Sequence, residues 1–160
     1  MSQEWKPTSW MYRDRRPQDD SAYLENLTRC IFQAGLSWRT VADKWPNFKA
    51  AFDGFDVEKV ASYGKEDVER LMGDEGIVRN RRKITAAVQN AREFKRIAEE
   101  HGSFKDWLDG LDKSNNYASV EEQLGARMKH VGRRTAHIFL YTVGEEIEYD
   151  EDIAGHHRRR

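Results

Sequence analysis

The sequence predicts an all-α fold, and three observations carry that reading. Apolar residues recur at three- and four-residue spacing through most of the chain, no convincing run alternates with period two, and glycine, proline or capping residues bound the periodic stretches. The first helix is expected after Asp19 and Asp20, which suit an N-cap; Tyr23, Leu24, Leu27, Ile31 and Ala34 share one face, and Gly35 stops it. Ser37 is placed to cap the next. Short helices are expected around 38–45, 47–53, 57–62 and 65–72, punctuated by Pro46, Gly54, Gly64 and Gly73. The longest runs from about Arg79 to Glu100. Ile84, Ala87, Val88, Ala91, Phe94 and Ile97 form its apolar stripe, leaving Arg81, Arg82, Lys95 and Arg96 for other faces. After Gly102 come a short helix near 104–108, a Lys/Ser/Asn-rich loop from Gly110 to Tyr117, and helices near 119–127 and 133–143.

At 160 residues the chain suits a single domain spanning 1–160. A chain of that length buries roughly 68–70% of its unfolded surface, so it needs no covalent staple. The single cysteine, Cys30, permits no internal disulfide and no multi-cysteine zinc cage, which fits a reducing compartment. No apolar run reaches membrane-spanning or signal-peptide length, and the mean hydropathy is −0.91. A cytoplasmic monomer without membrane contact is expected.

The net charge of −1 hides a local asymmetry. Residues 79–96 carry Glu93 as their one acid, whereas six of the eight residues from Glu145 to Asp152 are acidic. Such separation can set a basic face against a polyanion, or it can be solvated decoration. Residues 145–160 read as a tail, acidic and then basic, with its last eleven or so residues mobile.

The most informative stretch is Lys129-His130-Val131-Gly132-Arg133-Arg134-Thr135-Ala136, between two amphipathic helices. It looks like a helix-hairpin-helix turn, in which a glycine lets successive backbone N–H groups at a helix start approach a phosphate oxygen. Arg133 and Arg134 add charge. Val131, Gly132, Arg133 and Arg134 are therefore the candidate phosphate anchors, with a tight connection bearing solvated arginines as the alternative.

Four further stretches carry a resemblance. Gln33-Ala34-Gly35-Leu36-Ser37-Trp38, then Phe52-Asp53-Gly54-Phe55-Asp56 through Ala61, then Glu66-Asp67-Val68-Glu69-Arg70-Leu71-Met72 and Gly76-Ile77-Val78-Arg79-Asn80-Arg81-Arg82-Lys83-Ile84, resemble the DNA-3-methyladenine glycosylase I family over roughly residues 12–144. The resemblance implies a helix-hairpin-helix DNA glycosylase fold that binds damaged double-stranded DNA, flips out a nucleotide and hydrolyses its glycosidic bond. A 3-methylated adenine is cationic, so its departure neutralises it, and the enzyme needs chiefly to extrude, hold and discriminate. Aromatic faces suit such a base through cation–π attraction of roughly 0.5–2 kcal/mol each. By resemblance Trp38 and Tyr12 stack on the base, Gln33 reads it or supports the pocket, and Gly35 and Leu36 wedge into the duplex.

Two departures stand beside these matches. Where the family carries a base-recognising glutamate eight residues before the tryptophan, this chain has Cys30. A thiol cannot offer a carboxylate, and a small buried hydrophobe is the alternative to a base-binding role. The family's zinc site draws on an N-terminal cysteine, a histidine where this chain has Arg13, and a C-terminal histidine and cysteine. His156 and His157 alone make no tetrahedral site, so no metal or cofactor is expected. No catalytic acid is assigned. Asp14, beside Tyr12, and Asp150 and Asp152, a short way past the hairpin's second helix, are candidates for stabilising charge on the sugar or activating water. His101 reads as a helix end and His137 as a packed or surface position. A DNA-binding module that has lost excision, and a glycosylase of altered lesion specificity, are the competing functions.

Overall fold

A computed structural model describes residues 9–155. The described chain is helical throughout, with no strand beyond an isolated bridge between Tyr12 and Val143. Its elements are α1 (Asp20–Gln33), α2 (Trp38–Ala51), a 3-10 turn (Asp53–Phe55), α3 (Val57–Ala61), α4 (Lys65–Met72), α5 (Arg81–His101), α6 (Phe104–Asp109), α7 (Ser114–Arg127), α8 (Arg133–Thr142) and α9 (Glu151–Ala154). The all-α expectation holds.

The caps follow the side-chain chemistry. Asp19 accepts from the Ala22 N–H at the start of α1, Ser37 from Thr40 at α2, and Asn80 from Lys83 at α5. Helix α1 is buried along nearly its whole length and packs against α2, α3, α5, α6 and α8. Helix α5 lies across it and also meets α3, α4 and α6. The core between them is strongly aromatic: Phe94 stacks on Phe104 with centroids 4.3 Å apart, and Trp45 stacks on Phe48 and Phe55.

Three expectations are corrected. Pro46 does not divide two helices; it lies inside α2. Val41, Trp45 and Phe48 keep the apolar stripe running through it, while Ala42, whose carbonyl loses its intrahelical donor, is exposed to water. The loop expected from Gly110 to Tyr117 contains a left-handed turn at Asn115, Asn116 and Tyr117, with φ between 51° and 70°. Asn tolerates that region, and the turn aims Asn116 and Tyr117 at the segment after α8. That segment is no solvated tail over 145–155. Glu145 and Ile147 are buried, Asn116 exchanges two hydrogen bonds with the Glu148 backbone, and Ala154 of α9 is fully covered.

Candidate nucleic-acid interface

Two loops converge on one groove. The first, Ala34–Ser37, follows α1, with Gly35 exposed at φ +84° and Leu36 half-buried. Gln33 donates from Nε2 to the Leu36 carbonyl at 2.8 Å, and Lys83 Nζ reaches over from α5 to the carbonyls of Ala34 (2.6 Å) and Phe32 (3.3 Å). A buried ammonium thus closes the C-terminal end of α1, where carbonyls lack helical donors and the helix dipole is negative. Burial lowers the pKa of Lys83.

The second loop, Met128–Gly132, joins α7 to α8. Its start is gripped by α5: Asn90, almost fully buried, donates to the Lys129 carbonyl and accepts from the Lys129 N–H at 2.7 Å. Gly132 precedes α8 with no side chain capping the first turn. Its leading N–H groups are therefore free to meet an anion. A groove of about 580 Å³ lies there, lined by Ala34, Lys129, His130, Val131, Gly132 and Thr135 among others, so both loops border it. Burial, together with the charges of Arg82 and Lys83, lowers the pKa of His130.

The expected site residues fall into place unevenly. Gly35, Leu36, Gly132 and Arg133 lie at the two loops, Arg133 being well exposed while its Nε bonds Glu121 at 3.2 Å. Val131 is buried beneath the hairpin. Arg134 is half-buried and donates to Gln33 Oε1 at 3.2 Å. Gln33 therefore spends its donor on the loop after α1 and its acceptor on the hairpin helix, which makes it a brace between the two. Trp38 opens α2, and its ring stacks on Trp10 with centroids 5.5 Å apart. On Trp10 also lies the guanidinium of Arg29, at 4.3 Å, with Trp45 5.0 Å from it. Burial lowers the pKa of Arg29 to about 10. Tyr12 is half-buried under the Arg15 guanidinium at 4.3 Å, and its N–H donates to the Thr142 carbonyl at 2.8 Å. Cys30 is buried in the core, and the Thr142 hydroxyl donates to the Phe139 carbonyl and accepts from Asn26. Burial pushes the Cys30 thiol up to about 12, far from a thiolate nucleophile.

The candidate acids are dispersed. Asp14 and Asp152 are exposed. Asp150 caps α9, accepting from Asp152 and Ile153, and its own N–H donates to His137 Nε2 at 2.9 Å. His137 is fully buried, and with Nε2 accepting, its Nδ1–H donates to Glu121 Oε2 at 2.8 Å. Glu121, Lys83, Asn90 and Trp10 escaped the sequence reading. Lys83 belongs to the quoted Arg-Arg-Lys-Ile stretch, and a lysine there on the apolar side of its helix was the available signal.

The zinc implied by the resemblance does not fit these residues. Where a ligating histidine would stand, Arg13 is a donor, its Nη1 bonding the carbonyls of Tyr141 (2.5 Å) and Glu145 (3.1 Å). Among the described residues no three His, Cys, Asp or Glu side chains form a group that could hold a metal, and His156 and His157 lie outside those residues.

Comparison with known proteins places the chain in a family. A sequence profile described as methyladenine glycosylase matches residues 3–135. The DNA-3-methyladenine glycosylase 1 of Escherichia coli (strain K12) is 47% identical over 94 residues, 58% of this chain and 50% of that protein. The DNA-3-methyladenine glycosylase of Haemophilus influenzae is 34% identical over 101 residues, 61% of this chain and 55% of that one. The chain thus spans about half the length of the curated relatives it matches. Among solved structures, a 3-methyladenine DNA glycosylase I superposes with a TM-score of 0.72 at 28% identity, covering 87% of this chain and 93% of that one. The Staphylococcus aureus enzyme, in a structure described as the basis of 3-methyladenine recognition, gives 0.73 at 25% identity, covering 91% and 87%. With a profile matched over most of its length and these folds superposed on its helices, the chain belongs to the methyladenine glycosylase family.

Proposed function

We propose that this chain is a monofunctional DNA glycosylase that flips an alkylated purine of the 3-methyladenine type out of double-stranded DNA and hydrolyses its N-glycosidic bond. One observation carries the reading: the loop that bears Gly35 and Leu36 meets the groove of the α7–α8 hairpin at Ala34, and the two are tied together through Gln33 and Arg134. A wedge and a phosphate anchor held at fixed separation suit a duplex that must be gripped while one nucleotide leaves the stack. Leu36 fills the gap, and the free amides of the first turn of α8 with Arg133 hold the backbone. Trp38, immediately past the wedge, and Tyr12 offer aromatic faces to the extruded cation.

The chemistry asked of the chain is modest. A cationic base leaves as a neutral one, so holding it in a pocket that excludes water and disfavours its return does much of the work. Cys30 serves as a small protonated filler beside Thr142. Asp150 already caps α9, and no carboxylate is assigned as the acid. The chain acts as one domain over 1–160, as a cytoplasmic monomer, on DNA; no helix among the described residues is long and apolar enough to cross a membrane.

Phosphate anchoring has a separable signature. Arg133→Ala should weaken duplex binding about equally for all sequences and reduce the slope of log affinity against log salt by about 1. An unchanged slope in a titration from low to moderate salt would remove Arg133 from the anchor. Excision itself is tested by chromatographic detection of free base from methylated duplex DNA.

A further inference from the structure

The stretch that carries Tyr12 is fastened to the far end of the chain by an unusual density of polar contacts. Tyr12 N–H donates to the Thr142 carbonyl. Arg13 donates to the carbonyls of Tyr141 and Glu145, and its guanidinium sits 4.0 Å from the centroid of the Tyr141 ring. Arg16 Nη2 bonds Glu145 Oε2 at 2.6 Å and Asp109 Oδ1 at 2.7 Å. The Glu145 carboxylate is only 3% exposed, and its other oxygen accepts from the Tyr117 hydroxyl at 3.0 Å and faces Lys113 Nζ at 3.2 Å. Gly144 completes the joint at φ +83°, where an added Cβ would overlap the Arg15 carbonyl oxygen.

A buried carboxylate is costly unless paired and hydrogen-bonded, and Glu145 has three such partners, Arg16 from the N-terminal segment and Lys113 and Tyr117 from the start of α7. A guanidinium that donates to two carbonyls while lying on an aromatic face is held in one orientation, which a lysine could not reproduce. The segment has no helix of its own over 12–16, so these contacts set where its backbone runs. We infer that Arg13, through the carbonyls of Tyr141 and Glu145, and Arg16, through the Glu145 carboxylate, form a clasp that positions Tyr12 for the flipped base, fastening the N-terminal segment to the end of α8 without a metal ion.

The clasp is built from the residue that stands where a zinc ligand would, and it fits a donor rather than a cation there. Its role in positioning Tyr12 rests on the proposed function. Arg13 and Glu145 touch no base in this reading; they act through the backbone of residues 12–16 and 141–145, and so are positioning residues.

The test compares wild type, Arg13→Met, Arg13→Lys and Glu145→Gln by amide hydrogen exchange and by single-turnover base release from methylated duplex DNA. In Arg13→Met, the Tyr12 amide should exchange at least tenfold faster while amides of α5 keep their protection. Base release at saturating enzyme should fall at least tenfold with duplex affinity changed less than twofold. Arg13→Lys should recover part of both, and adding Tyr12→Ala to Arg13→Met should cost nothing further. Incubating wild type with EDTA should leave Tyr12 exchange and the thermal midpoint unchanged. Wild-type Tyr12 exchange in Arg13→Met, or loss of its protection in EDTA, would overturn the clasp. Faster Tyr12 exchange with undiminished base release would overturn its positioning role. If wild type releases no base, the proposed function fails, and the exchange data still decide whether the clasp exists.

Discussion

Replacing Lys83 by methionine is expected to lower stability by about 1–3 kcal/mol and to slow base release more than it weakens DNA binding. The ammonium bonds two carbonyls at the end of α1, those of Phe32 and Ala34. Leaving a buried carbonyl unsatisfied costs about 1–3 kcal/mol, and two are affected. Against that, Lys83 is itself largely buried and its lowered pKa marks a desolvation penalty that methionine removes. The carbonyl loss wins because Ala34 opens onto the wedge loop, where no other donor is in place. Denaturant titration gives the stability change, and single-turnover kinetics gives the effect on the wedge. A variant as stable as wild type, with unchanged base release, would show that Lys83 does not hold the loop.

Trp38→Ala is expected to cut base release by about ten- to a hundredfold, since loss of a base–aromatic stack costs about 1–3 kcal/mol. Its ring is not a buried core element: it is partly exposed and stacks on Trp10, itself partly exposed. Truncation should therefore spare the fold while removing the face on which a base would rest. Trp10→Ala provides a comparison. If Trp10 chiefly orients Trp38, its loss should produce a smaller decrease in the same direction, with the far-ultraviolet circular dichroism unchanged in both. Equal activity of Trp38→Ala and wild type would take the stacking face away from this position.

Much of the fold was legible because the signals are local. Tyr23, Leu27 and Ile31, or Ile84, Val88 and Ala91, repeat at helical spacing, and Asp19 and Ser37 cap where such residues should. Pro46 misled because its penalty depends on whether the orphaned carbonyl can reach water, which the sequence does not record. The acidic run misled for a different reason. The partners that bury Glu145 are Arg16, Lys113 and Tyr117, and pairing across 28 residues to Tyr117 or 129 to Arg16 leaves no local trace.

The candidate site divides along the same line. The hairpin was legible as a glycine-bearing turn between amphipathic helices and the Gly35-Leu36 loop only through the resemblance, and their joining through Gln33 and Arg134 was not. Gln33 reads as a base contact by position in the motif, yet its amide is engaged on both sides by protein. Lys83 and Asn90 both lie on α5 and brace one loop each, and they pass for ordinary helix polar residues until the loops are in place. Trp10 stands outside any helical period, so nothing in the pattern tied it to Trp38.

The most direct measurement is release of free base from methylated duplex DNA by wild type and Trp38→Ala, with the products separated by chromatography. Release of 3-methyladenine by wild type, reduced at least tenfold in Trp38→Ala, is the expected result. Duplex binding without release of any methylated base by wild type would contradict the assignment and leave a DNA-binding domain that has lost excision.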